Sequence, residues 1–435
     1  METYTVKLTS VLRVAALSAA ALVAAGSLTS CTSTSAAKDP DVLRVTLANH
    51  VWTDIVKDAI PDFEKEHGIT IELTQLGEDQ LSDQYNVKLN AGSDEIDVMM
   101  YRPLQEGKLF ATNGYLADLS DKVTENAEWD WADFQEGPVA ATSFDGKVVG
   151  VPIITEREVL YYRKDLLQAA GLEVPTTLDE LETAAREISD QNPGVAGFVA
   201  RTAKAAAVTQ FSSFLYSFGG DFQDAKGEAT VDTKEARAAY EYYGGLINNY
   251  GPENVSTDMS WPEAMAIFTQ GGAAFYTEAD SLYLNATDPA KSKVSDTVGF
   301  AAFPAGPDGS KPYNVPSWAL GVNAESPNQG LAWDFIEWAT EKERTLEVQQ
   351  AGVPGPRTSV WEDAAGIESY PADLATAILA NAENGIGHDR PLVINVGEAR
   401  EIVGDPIVVG ITGGDIDASA DQAQELFSLF LEDEK

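Results

Sequence analysis

The 435-residue chain has one cysteine, three histidines and only 29 lysines and arginines against 69 acidic residues. The single thiol, Cys31, has no intrachain partner, which excludes an internal disulfide and leaves stability to large apolar cores. His50, His67 and His388 are scattered, which argues against a histidine metal site. A formal net charge of −40 disfavours nucleic acid, whose phosphates need a basic surface, and tight contact with anionic lipid. No Gly-x-Ser-x-Gly elbow, His-Glu-x-x-His pair or phosphate loop occurs, so three common catalytic and nucleotide-binding devices are missing. Residues 415–421, DIDASAD, begin like a calcium loop. Ala420 stands where the tight turn needs glycine, and Leu426 where the bidentate glutamate belongs, so no metal is expected. With so many acids, accidental carboxylate pairs are unavoidable, and a secreted carbohydrate-active hydrolase stays open as an alternative function.

The apolar run Val14–Leu28 is too short for a membrane-spanning helix, which needs about 20 residues. Lys7 and Arg13 precede it and small residues follow, the pattern of a secretory signal over residues 1–30. Leu28-Thr29-Ser30-Cys31 resembles a bacterial lipobox. That resemblance implies cleavage before Cys31 and a lipid on its sulfur, hence an extracytoplasmic protein anchored to the cell membrane. Residues 31–40 have the polar composition of a tether.

Hydrophobic residues make up 44% of the chain and eight are tryptophan, as in a well-packed globular protein. VLRVTL (42–47) alternates as a strand. Trp52, Ile55, Val56, Ala59, Ile60 and Phe63 follow at helical spacing, with Pro61 as a potential break. ITIEL (69–73) alternates again, Leu81, Tyr85 and Leu89 mark a helix, and IDVMMY (96–101) reads as a buried strand. A β-α-β-α-β order predicts a parallel sheet with right-handed crossovers and a ligand beyond the carboxyl ends of its strands. Those ends are Asn49 to Trp52, Gln75 to Asp79, and Tyr101-Arg102. The next region is mainly helical. It includes a Thr177-x-x-Glu180 capping box, an apolar face at 210–220, a helix from Asp232 to Tyr243, and one at 261–272 with Pro262 in its first turn. Strand patterns return at 273–278, 298–303 and 318–322, followed by amphipathic helices near 329–344, 371–383 and 417–432. These expectations divide the chain into a sheet-rich lobe (41–150 and 273–325) and a helix-rich lobe (151–272 and 326–435).

Aromatic residues stand at element boundaries: Tyr101, Trp261 and Trp318. Aromatic faces stack on the C–H faces of sugar rings, while carboxylates and arginine forks bond hydroxyls. Core packing is the competing role for each of them. The stretch GKVVGVPIITEREVLYYRKDLLQAAGLEVPTTLDEL (146–181) resembles the carbohydrate-type extracellular solute-binding proteins of ABC importers, the maltose-binding-protein-like class. The residues that carry the resemblance are Gly150, Pro152, Tyr162, Lys164, Asp165, Leu166, Pro175, Asp179 and Glu180. Further similar stretches follow in order: 61–73, 96–100, 261–275, 332–343, 352–361 and 411–427. The resemblance implies a two-lobed α/β periplasmic-binding-protein-like fold, with a ligand cleft between lobes. It also implies a binding protein without enzymatic activity or cofactor, which delivers a sugar, oligosaccharide or polyol to ABC permease subunits. It places Glu156 on the ligand, four residues after the crossover proline, with Tyr101, Arg102, Trp261, Glu278 and Trp318 near its other ligand-facing segments; Trp52, at the end of the first strand, and Arg357 are further candidates. An acidic solute held by Arg102, Arg157 or Arg357 is the alternative. Arg163, Leu178 and the Tyr101-Arg102 pair depart from the family pattern and leave the ligand's identity open.

Overall fold

The computed structural model describes residues 41–434, so the signal, the tether and Cys31 lie outside the described residues. The first three strands are β1 (Val42–Ala48), β2 (Thr70–Leu76) and β3 (Val98–Tyr101), and β1 pairs in parallel with both others. The helix Val51–His67 connects β1 to β2 and runs unbroken through Pro61, which faces solvent, so water can bond the carbonyl the proline leaves free. His50 caps its start, accepting from the Trp52 amide at Nδ1 (3.0 Å), and Gly68 ends it at φ 68°, a backbone angle that suits glycine. The Thr177 box forms as expected at the head of the helix Leu178–Gln191. Ser260 and Glu263 make a second box at Trp261–Thr269.

A short hairpin, β4 (Ser143–Phe144) and β5 (Lys147–Val148), leads into β6 (Val151–Arg163), thirteen residues long. The remaining strands are β7 (Ala196–Val199), β8 (Ala273–Ala279), β9 (Val298–Ala301) and β10 (Asn314–Val322). The order across the sheet is β2-β1-β3-β10-β6-β8-β7, with β9 also on β6. Strand β6 does two jobs. Its first half, Val151 to Arg157, pairs antiparallel with β10, and its second half, from Glu158, pairs with β8 and β9.

Two large cores follow this division. The first gathers Leu43, Phe63, Met99, Ile154, Trp318 and Phe335. The second gathers Leu160, Phe198, Phe214, Tyr243, Phe275 and Phe427. Val159 and Tyr161, on the opposite face of β6, join Phe268, Tyr276 and Trp361 in a third cluster, so this part of the sheet is buried on both faces. Residues 273–279, grouped by sequence pattern with the sheet-rich lobe, pair with β6 and β7 and place Phe275 in the second core. A strand pattern tells which residues are buried but not which sheet buries them. The result is a two-lobed α/β fold.

Candidate functional site

The chain passes between the first core and the other clusters at Thr155–Glu158, Tyr313–Pro316 and Pro354–Arg357. These passages are bonded to one another. The Thr155 amide donates to the Pro354 carbonyl at 3.0 Å. Fully buried Arg157 reaches Asp280 (2.9 Å), Gln135 (2.7 Å), Thr155 Oγ1 (2.7 Å) and the Gly355 carbonyl (3.3 Å), with its guanidinium 5.2 Å from the Trp361 ring centre. Such a pair forgoes hydration on both sides, and the lost hydration offsets most of its Coulomb attraction. Its contribution is geometric, since one planar cation fixes four separate chain segments.

On the side of the first core, Arg102 follows β3. It bonds Ser82 Oγ (2.9 Å), Glu106 (3.0 Å) and Glu78 (3.2 Å), and its guanidinium carbon lies 6.0 Å from the Trp318 ring centre. Trp318 sits opposite Ile154 on β6, which brings Arg102, Trp318 and the Glu156 stretch together across three strands. Only 5% of Trp318 is exposed, so it packs mainly in the core. Tyr101 is fully buried, and a Cβ added at Gly150 would lie 2.3 Å from its hydroxyl, so Gly150 leaves room for that ring. Trp52 is also buried, on the first core.

On the other side, the carboxyl ends of the parallel strands β7 and β8 supply the polar groups. Arg201, just past β7, forms a two-bond fork on Glu278 of β8, with Nε to Oε2 at 2.8 Å and the second contact shorter still. Tyr276 donates its hydroxyl proton to the same carboxylate at 2.6 Å. Glu156 projects beside them from β6 and accepts from Ser281 Oγ at 3.2 Å. The residue is half-buried, with its carboxyl surrounded by protein. Burial first, and then the negative charge of Asp280, push its pKa up to about 7. Trp261 is one of the few large apolar side chains left exposed, at 37%. It begins its helix two residues after Met259, whose carbonyl is held by the Thr202 and Ala203 amides at 2.9 Å, adjacent to Arg201.

Arg357 occupies a different environment. It is buried, bonded to Asp133 (3.1 Å) and to the carbonyls of Trp129 (2.8 Å) and Thr340 (2.9 Å), and stacked on Phe134 at 4.2 Å. The structure thus brings Arg102, Glu156, Glu278 and Trp318 to the passage between cores, with Trp261 two residues beyond Met259, which is bonded to the segment that follows Arg201. Trp52 and Arg357 have packing environments instead. Arg157 and Arg357, two of the three arginines considered for an acidic solute, are committed to protein partners.

Sequence reasoning missed Arg201, Ser281 and the segment Gly385–Arg390. A Cβ at Gly385 would meet the Asn314 side chain at 2.3 Å, and one at Gly387 the Gly137 carbonyl at 2.5 Å, so both glycines permit close approach. Arg390 forks onto Asp389 (2.5 Å for each bond) and lies within electrostatic reach of Arg201 and Glu156. Burial opposes the Asp389 charge, but Arg390 and then Arg400 outweigh it and hold the carboxyl far below its usual range. A polar His-Asp-Arg triplet after Gly-x-Gly was the available signal. Among the described residues, no group of three or more His, Cys, Asp or Glu side chains could hold a metal ion, and no helix is long and apolar enough to cross a membrane.

Solved structures share this architecture. A solute-binding protein of an ABC transporter from Agrobacterium radiobacter, in complex with ribitol, superposes with a TM-score of 0.72 at 26% identity, covering 89% of this chain and 98% of the other. The maltose-bound MalE3 of T. maritima gives 0.72 at 27% identity, covering 89% and 100%. The mannitol-binding protein of Pseudomonas aeruginosa is 26% identical over 313 residues, 69% of this chain and 70% of that protein. Residues 50–345 match the family model described as bacterial extracellular solute-binding protein. With that match over most of its length, and with the two-lobed fold around a polar passage, the chain belongs to the bacterial extracellular solute-binding protein family.

Proposed function

We propose that this protein captures a sugar or polyol outside the cell and delivers it to the permease of an ABC importer. The carrying observation is the pairing of arginines with carboxylates at the carboxyl ends of strands from two cores, Arg201 forked on Glu278 and Arg102 bonded to Glu106 and Glu78, with Trp261 exposed at the head of the helix that follows Met259. A carboxylate already paired with arginine keeps lone pairs for hydroxyl donors, and the arginine keeps N–H groups for hydroxyl acceptors. Such a lining suits a ligand that is rich in hydroxyls. A relative named for mannitol and solved structures holding ribitol or maltose support the same class.

The work is lobe closure rather than chemistry. In this reading one lobe consists of residues 41–154 and 316–353, and the other of residues 158–313 and 357–434, with the three bonded passages as the hinge. Closure would carry Arg201 and Trp261 toward Arg102 and Trp318 around the solute, with Glu156 at the hinge between them. Residues 1–30 are a signal and Cys31 carries the lipid. Cys31→Ser should therefore release the protein from the membrane fraction, and unchanged partitioning would refute the anchor. The function is tested by thermal shift against ribitol, D-mannitol and maltose, with oligosaccharides included to look for hydrolysis. A ligand specific to the folded state raises the melting temperature. The proposal expects a rise with at least one compound and no product. Product formation, or no rise with any member of a wide panel of sugars, polyols and sugar acids, would overturn it.

A further inference from the structure

Three guanidinium groups, those of Arg201, Arg390 and Arg400, lie within electrostatic reach of one another, the first two also of Glu156, and only two of the three have a carboxylate of their own. Arg201 is forked on Glu278 and Arg390 on Asp389. Arg400, on the helix Val396–Val403, donates only to the hydroxyl of Thr209, at 2.9 Å. Its Nε is sealed from solvent without a partner, and it forms no ion pair among the described residues. Arg390 approaches the same Thr209 hydroxyl at 3.4 Å, so the two cations share one neutral acceptor.

The other nearby charges do not close the balance. Asp280 is bonded to Arg157, Asp221 to His388, and Asp405 to Lys204. Glu401, beside Arg400 in sequence, is exposed. Glu156 and Glu158 are the remaining acids beside the Arg201 fork, and burial raises the pKa of both, so that Glu156 stays largely protonated on the acid side of neutrality and Glu158 well above it. Burial, and then the charge of Arg390, pull the Arg400 guanidinium down to about 9, the mark of a cation that lacks compensation. In a chain with a net charge of −40, a buried surplus of one positive charge is a local exception.

We propose that Arg390 and Arg400 form an anion subsite at one end of the solute site, and that the solute is a polyhydroxylated monocarboxylate, an aldonate or uronate. The inference rests on the solute-binding reading above and narrows it. A single surplus charge matches a carboxylate rather than a phosphate dianion, and the planar fork of arginine matches carboxylate geometry.

Calorimetry on the folded protein at about pH 6 compares matched pairs: ribitol with ribonate, D-mannitol with D-mannonate, D-glucose with D-glucuronate. Sugar carboxylates stay ionised there while Glu156 is protonated. At least one carboxylate should bind about tenfold or more tightly than its neutral partner. Arg400→Gln should collapse that ratio toward one, and Arg400→Lys should keep part of it. If neutral members bind as well as their acids, the anion subsite is wrong while the solute-binding reading stands. If D-mannitol 1-phosphate binds more tightly than D-mannonate, the carboxylate assignment is wrong. If no compound of either kind binds, the solute-binding reading falls and this inference with it. The comparison in the parent protein decides the matter even where a variant fails to fold.

Discussion

Glu156 shows how one side chain can report on its surroundings. Its folded pKa of about 7 stands above its ordinary 4.5 because of burial and the nearby Asp280. Between those values the folded state binds more protons than the unfolded chain. Stability contributed by this group is therefore full below about pH 4.5, falls as pH rises toward 7, and levels off above it. Glu156→Gln should remove that slope, so the variant gains on the parent in melting temperature between about pH 5 and about pH 8. An identical pH profile for both proteins would show that Glu156 does not titrate in this range. The two tryptophans separate at the same scale. Trp318, only 5% exposed, should cost about 3–5 kcal/mol of stability on truncation to alanine. Trp261 is 37% exposed, and its alanine variant should melt near the parent temperature while losing about 2 kcal/mol or more of ligand affinity. Denaturant melts without ligand and calorimetry with it check both. A Trp261→Ala protein that binds as well as the parent removes that residue from the site.

At the scale of elements, most helices and the parallel β1–β2–β3 group could be read from periodicity and caps. Each is short-range, decided by spacing of 2 or 3.6 and by residues such as Thr177 and Glu180 that act within one turn. Strand β6 was harder to read. Its thirteen residues are nearly all buried, so they do not alternate, and the polar triplet Glu156-Arg157-Glu158 looks like a loop. That triplet marks where β6 leaves β10 for β8. Arg157 was invisible as a staple because its partner Asp280 lies 123 residues away. Arg157→Met should cost about 3–5 kcal/mol, since Asp280 would remain buried and unpaired. Replacing both, as Arg157→Met with Asp280→Leu, should recover part of that loss. Equal stability of the single variant and the parent would contradict the staple. Arg201 and Arg390 escaped for the same reason, being 189 residues apart in the chain and joined only by the fold.

For the whole molecule, one strand carries the chain between two cores, and three bonded passages form the seam. The proposed solute site belongs to that seam rather than to either lobe, with residues drawn from the ends of β3, β6, β7, β8 and β10. An alternative location exists on the surface of the first core: an acidic hollow of about 480 Å³ lined by Glu66, Glu128, Trp129, Asp334, Glu337 and Trp338. Hydrogen exchange distinguishes the two, because a bound solute and the closure it drives slow exchange where the backbone becomes protected. The measurement is amide exchange with and without whichever of ribitol, D-mannonate or maltose raises the melting temperature most. The account predicts protection at 100–104, 154–158, 199–203, 278–282, 316–320 and 386–392, with little change around Trp129 and Trp338. Protection confined to that hollow, or spread evenly with none at the seam, would contradict a solute site between the lobes.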